Sequence, residues 1–231
     1  MLNGTSAVRH GTIALFNAGV KKMVVVTGHA EDSIKNALED LVFSSDIHFV
    51  KNDMYNFHGC NYSVACGMAA IIKESKKVII AEGDSLIHPT SIEQLVSCNE
   101  ESAVLVRSPE YIDPKRSVVA IGTSHKVTRY AYDQNHIGNF PVLTERERII
   151  GESMQLWSFS GEVLNELCDL LKEYKETAEK SKVPKSESGV YSINKLQTPA
   201  MPVMSNLPKE WININTKHDL EKAKVLKWIQ K

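Results

Sequence analysis

Hydrophobic positions change period along this chain. Residues 22–27 (Lys-Met-Val-Val-Val-Thr) form a short β-branched run stopped by Gly28 and His29, the pattern of a strand buried on both faces. Ahead of it, residues 8–17 set Val8, Ile13, Leu15 and Phe16 at helical spacing, and Ala18-Gly19 supplies a helix stop. Residues 31–41 carry Ile34, Leu38 and Leu41 on one helical face. Residues 47–50 read as a second strand, 61–73 as a helix, 77–81 as a third strand, and 89–96 as a helix with Pro89 in its first turn. Strands alternating with helices predict β-α-β units and a largely parallel sheet.

The second half has another rhythm. Residues 103–107, 117–121, 127–132 and 153–159 are strand-like with few helices between them, so the sheet becomes mixed. Residues 164–177 read as a helix and the Lys/Glu/Ser-rich stretch 179–188 as a mobile loop. A last helix runs from Thr216 to the C-terminus, capped by Asn215-Thr216, with Leu220, Ala223 and Leu226 on one face. The expected class is α/β: one mixed, mostly parallel sheet flanked by helices, with residues 1–231 as a single domain.

The length of 231 residues suits one domain with a real core. Lys and Arg total 27 against 28 for Asp and Glu, so no long-range field draws the chain to nucleic acid or anionic lipid. No apolar run approaches the roughly 18 residues of a membrane span, and residues 1–11 lack a signal-peptide layout. Cys60, Cys66, Cys98 and Cys168 show no Cys-x-x-Cys spacing, which points to free thiols in a reducing compartment. A soluble cytoplasmic protein is expected.

Open α/β sheets bind ligands at the carboxyl ends of their strands. The third strand runs directly into Glu82-Gly83-Asp84-Ser85, and a carboxylate delivered there beside a glycine suits Mg2+, which takes one or two carboxylates and fills its shell with water and phosphate oxygens. A plainer role for Asp84 is to cap the turn leading to Pro89.

Several segments together resemble the nucleotidyltransferases of the glycosyltransferase-A-like fold: Leu2-Asn3-Gly4, Ala18-Gly19-Val20, the run from Lys22 through Val24-Val25-Val26-Thr27-Gly28-His29, Val50-Lys51-Asn52, Asn61-Tyr62-Ser63-Val64 and Ile80-Ala81-Glu82-Gly83-Asp84. Trp211-Ile212-Asn213-Ile214-Asn215-Thr216 is similar to the closing strand and helix of that family, so the resemblance spans nearly the whole chain. It implies Mg2+ bound by Asp84 and Asn215, with an acceptor phosphate oxygen attacking the α-phosphorus of a nucleoside triphosphate in line and pyrophosphate leaving. The acceptor phosphate is already ionised, so no general base is needed. Asn215 also fits a bare helix cap.

The segment Asn52-Asp53-Met54-Tyr55, followed by Asn61-Tyr62-Ser63 at a helix start, is most similar to the phosphocholine and aminoalkylphosphonate cytidylyltransferases. This implies CTP as donor, with Asn61, Tyr62 and Ser63 meeting the nucleotide at a helix N-terminus; a capping role for Asn61 is the plain alternative. A phosphocholine acceptor calls for an aromatic surface and a nearby carboxylate, for which Trp157 and Glu152 are the candidate pair and Tyr130 and Tyr132 further aromatics. Trp157 equally fits a core position.

The family's opening Leu-Ala-Ala-Gly-x-Gly-x-Arg loop has no counterpart in this sequence, and Gly11, Gly19 and Gly28 are too widely spaced to replace it. That loop holds the triphosphate. Without it and its strand, the expectation is an N-terminally truncated chain, feeble alone, with an exposed sheet edge. A sugar-1-phosphate nucleotidyltransferase is the second enzymatic reading. A non-catalytic domain that binds a nucleotide or a protein partner is the reading from another class.

Overall fold

The structure is a computed structural model that describes residues 2, 4–71, 75–133, 135–181 and 188–229. The elements in chain order are α1 (Ala7–Asn17), β1 (Met23–Thr27), α2 (Glu31–Leu38), β2 (Ile47–Lys51), α3 (Cys60–Ala70), β3 (Lys77–Ala81), β4 (Ser85–Ile87), α4 (Pro89–Val96), β5 (Ser102–Arg107), β6 (Val119–Thr123), β7 (Lys126–Ala131), β8 (Arg148–Ser160), α5 (Gly161–Lys180), β9 (Met201–Met204), β10 (Trp211–Asn213) and α6 (Lys217–Ala223). The β-branched runs became strands and the apolar-faced segments helices, as their periods require. The C-terminal end of the 61–73 reading, most of the 179–188 loop and the last two residues lie outside the described residues. Glu179 and Lys180, read as loop, instead finish α5.

The sheet is mixed, but its parallel share is smaller than the alternating pattern suggests. β1 pairs with β2 and β5 with β9 in parallel. Long β8 is the spine, running antiparallel to β3, β5 and β6, and β7 adds antiparallel to β6. A separate antiparallel ladder joins β4 to β10. Among the described residues β1 pairs only with β2 and β3 only with β8. Helices cover both faces. Tyr62, Ala65 and Cys66 of α3 share one core with Val78, Ile80, Trp157 and α5, while Ala14 of α1 joins Ile92 and Leu95 of α4, Leu105 and Trp211 in another. Leu86 of β4 and Ala223 of α6 pack with Leu2 and Ile229 in a third, smaller cluster.

Candidate active site

Asp84 lies in the tight connection from β3 to β4. The β4–β10 ladder pairs Trp211 with Ile87, Ile212 with Leu86 and Asn213 with Ser85. It is extended by one bond, 2.9 Å from the Ile214 N–H to the Asp84 carbonyl oxygen. Asp84 and Asn215, separated by more than a hundred positions in sequence, therefore reach the same end of one ladder. The cap of α6 is Thr216, in a reciprocal capping box with Asp219, so Asn215 is not the capping residue. Its backbone N–H donates to Asp219 at 3.2 Å, which fixes its position at the mouth of the site. The cap of α4 is His88, whose ring accepts the Thr90 N–H at 3.2 Å. Asp84 has no capping duty there.

Gln155 ties this corner to the main sheet. It sits within β8 at φ +58°, a left-handed conformation that a β-carbon disfavours, where the register against β5 shifts between Val104 and Val106. The twist turns its side chain toward the turn, where Oε1 accepts from the Ser85 hydroxyl at 3.1 Å and from the Asn213 amide at 2.7 Å. Backbone strain held by such bonds at a ladder junction is a recurring feature of functional sites.

The corner is acidic and poorly solvated. Burial raises the Asp84 carboxyl above its ordinary value, and burial together with the Asp84 charge pushes Glu82 up to about 7. Loss of solvation, followed by the same two carboxylates, pushes the Cys60 thiol up to about 11 and keeps it protonated. The Asp84 Oδ1 and Asn213 Oδ1 atoms are buried without a hydrogen-bond partner. Hard oxygen acceptors with no donor, beside a carboxylate whose charge is unrelieved, fit Mg2+. No cluster of three His, Cys, Asp or Glu exists among the described residues, so protein oxygens would supply only part of the shell.

A cavity of about 230 Å³ opens beside this corner, lined by Gln155, Asn213 and Asn215 and, on its far wall, by Arg107, Glu152 and Trp211. Glu152 lies inside β8 rather than just ahead of a strand, 4% exposed, accepting from Arg107 Nε and the Ser117 hydroxyl, both at 2.5 Å. Its aromatic partner is not Trp157. Trp157 is 1% exposed, alternates onto the face of β8 that packs under α3 and α5, and meets Tyr130 edge-on at 6.1 Å. It is a core residue, as is Tyr130, while Tyr132 lines a neighbouring cavity of about 340 Å³. The aromatic wall is Trp211, with Tyr111 nearby, and the Arg107 guanidinium lies 4.4 Å from the Trp211 ring centre and 5.1 Å from that of Tyr111. Gln155 is a polar residue in the buried run Met-Gln-Leu-Trp, and that interruption was the signal available in the sequence. Nothing local marked Arg107 or Trp211.

The helix-start residues are corrected as well. The cap of α3 is Gly59, which turns Asn61 inward. Asn61 is 0% exposed and is paired at both ends of its amide with Ser192, at 3.0 and 3.2 Å. Tyr62 is buried against His58 and donates to Glu179 at 3.2 Å. Ser63 accepts from Asn52 at 3.0 Å. Asn61 ties α3 to the chain that follows α5 and Tyr62 ties it to the last turn of α5 itself, and neither presents its polar group to a ligand. Gly28 keeps the end of β1 open to close packing, because a β-carbon there would lie 2.7 Å from that of Tyr55.

The fold is shared with solved nucleotidyltransferases. The inositol-1-phosphate CTP transferase from T. maritima superposes with a TM-score of 0.70 at 17% identity, covering 100% of this chain and 86% of that one. The CTP:phosphocholine cytidylyltransferase from Streptococcus pneumoniae (LicC) gives 0.69 at 11%, covering 100% and 88%. In sequence, the bifunctional protein GlmU from Corynebacterium aurimucosum is 28% identical over 116 residues, 49% of this chain; the match spans 24% of that relative's length. No helix among the described residues is long and apolar enough to cross a membrane. Residues 12–227 match the family described as a domain of unknown function (DUF6564), and the chain belongs to that family.

Proposed function

We propose that this domain serves nucleotidyl transfer from a nucleoside triphosphate, CTP by the resemblance of its 52–63 segment, to a small phosphorylated acceptor, with release of pyrophosphate. The observation that carries the reading is the corner shared by Asp84 and Asn215, where the β4–β10 ladder extends through the Asp84 carbonyl to present a buried, unpartnered carboxylate oxygen beside a cavity. Bound there, Mg2+ would supply charge neutralisation for the reacting phosphates. The chain's own part is positional. Gln155 holds the turn through Ser85, Asp219 holds the amide of Asn215, and the neighbouring cavity receives the acceptor.

Phosphocholine or an aminoalkylphosphonate is the acceptor the sequence resemblance implies. A sugar-1-phosphate is the second reading, supported by an amide rather than a carboxylate at position 215 and by the cationic side chains Arg107, Arg116 and Lys222 around the cavity. The test is equilibrium binding of CTP by the chain with and without Mg2+, compared with UTP, dTTP and GTP. Mg2+ should tighten CTP binding at least tenfold, and Asp84→Ala should abolish that gain without unfolding the chain. Equal affinity with and without the metal, or an unaffected Asp84→Ala variant, overturns the assignment.

A further inference from the structure

An aromatic wall beside a buried carboxylate is the arrangement that receives a quaternary ammonium. Here that seat is taken. The Arg107 guanidinium lies against Trp211 and Tyr111 and is hydrogen-bonded to Glu152, so the cation of the cage belongs to the protein. Glu152 is spent on Arg107 and Ser117. Of the other carboxylates of the cavity, Asp219 is equally committed, while Asp113 lies exposed at the rim, away from the aromatic pair that Arg107 covers. Asp219 accepts from the Asn215 and Thr216 amides, the Thr216 hydroxyl and Arg116, and Asp113 accepts the Lys115 amide. Beside the aromatic wall, what the cavity still offers a guest is the donor side of Arg107, Arg116 and Lys222, together with the side-chain amide of Asn215.

The neighbouring cavity gives an ammonium no better seat. Its aromatic residues are Tyr132 and Phe140, but its carboxylate, Asp133, accepts the backbone N–H groups of Asn135, Ile137, Gly138 and Asn139 at 2.8–3.1 Å, and those bonds hold its carboxyl below the usual range. Desolvating a quaternary ammonium against a saturated carboxylate gains little, whereas hydroxyls and anionic oxygens find unmatched donors.

We propose that the 230 Å³ cavity takes the non-reacting part of a hydroxylated phosphate, a sugar or polyol phosphate, and that Arg107 is the specificity-determining residue that excludes choline-type acceptors by occupying their cage. The inference rests on the transfer reading above and selects between its two acceptor classes. Truncating Arg107 vacates the space between Trp211, Tyr111 and Glu152 and frees the carboxylate, so the preference reverses.

Titration of the intact chain with glucose-1-phosphate and with phosphocholine, in the presence of Mg2+ and CTP, tests this by following the Trp211 indole N–H resonance. The sugar phosphate should shift Trp211 and bind at least tenfold more tightly than phosphocholine. R107A should narrow or invert that ratio by at least tenfold, and R107K, which keeps a cation on the ring, should preserve its sign. Should R107A fail to fold, the wild-type ratio and R107K still decide the matter. Phosphocholine binding as tightly as the sugar phosphate, a shift confined to Phe140, or no response of Trp211 to either ligand overturns the inference. Magnesium-dependent CTP binding that is lost in Asp84→Ala shows in the same samples whether the transfer reading itself survives.

Discussion

Gln155 is the residue whose replacement separates backbone strain from side-chain bonding at the site. Its Oε1 accepts from the Ser85 hydroxyl and the Asn213 amide, and its φ is +58°. Gln155→Leu keeps the strained backbone and leaves both donors without a partner. Each buried donor left unsatisfied costs about 1–3 kcal/mol, so the loss should be about 2–4 kcal/mol, allowing for the partial exposure of Asn213. Gln155→Gly loses the same bonds but relieves a left-handed strain of about 1–2 kcal/mol and leaves room for water to pair the donors. The expected order of stability is wild type, then Gly, then Leu. Urea unfolding with an unchanged slope measures it, and the Leu variant should melt roughly 4–16 °C lower in a chain of this size. Mg2+-dependent CTP binding should weaken in both variants, because the 82–85 turn and β10 lose their side-chain tie to β8. A Leu variant within about 0.5 kcal/mol of wild type, or a Gly variant less stable than Leu, refutes the reasoning.

Three further outcomes follow from the same geometry. Trp157→Ala should cost about 3–5 kcal/mol by opening a void under β8, while any folded Trp157→Phe variant keeps wild-type affinity for an acceptor; a large change in acceptor affinity would return Trp157 to the pocket. Arg107→Ala leaves Glu152 buried with Ser117 alone, at a cost of about 3–5 kcal/mol at pH 8. The Glu152 carboxyl is already raised by burial, with Arg107 and Ser117 opposing, so losing Arg107 raises it further. An acid with a raised folded value loses stability as pH climbs from its unfolded value of 4.5 through the folded one. The deficit should therefore be smaller at pH 5 than at pH 8, and adding Glu152→Gln should flatten this dependence; a pH-independent deficit would contradict the account. Glu147, bound by Arg129 and by the Thr144 amide, is held down to about 2. Its contribution is complete above 4.5 and is lost as pH falls toward 2. An NMR titration of its carboxyl should show a midpoint near 2, and one near 4.5 would mean the Arg129 pair does not form in solution.

Local pattern reached far into this fold. The run 77–81 and the segment 89–96 have the bounds of β3 and α4, because a β-branched strand and a proline-opened helix carry their own limits in residue type. The parallel share of the sheet was overestimated because β-α-β alternation says nothing about β8, whose 13 residues run antiparallel to three strands. Short β4 and β9 escaped because three or four residues hold too few periods to register.

The sequence by itself determined the α/β class, most element positions and the placement of Asp84 at a strand end, since each depends on neighbours a few residues apart. It singled out Glu152 as a carboxylate at a strand entrance, whereas its burial and its ladder partner Arg107 on the adjacent strand came from the tertiary structure. Tertiary structure decided which side chains meet. The β4–β10 ladder brought Asn215 to Asp84, the bulge at Gln155 aimed its amide at Ser85, and the pleat of β8 sent Trp157 into the core while Trp211 came to face Arg107. A Gly59 cap, two residues earlier than the polar residues suggest, turned Asn61 toward Ser192. Face and facing partner depend on register and on strands distant in sequence, and a one-residue shift in either reverses them.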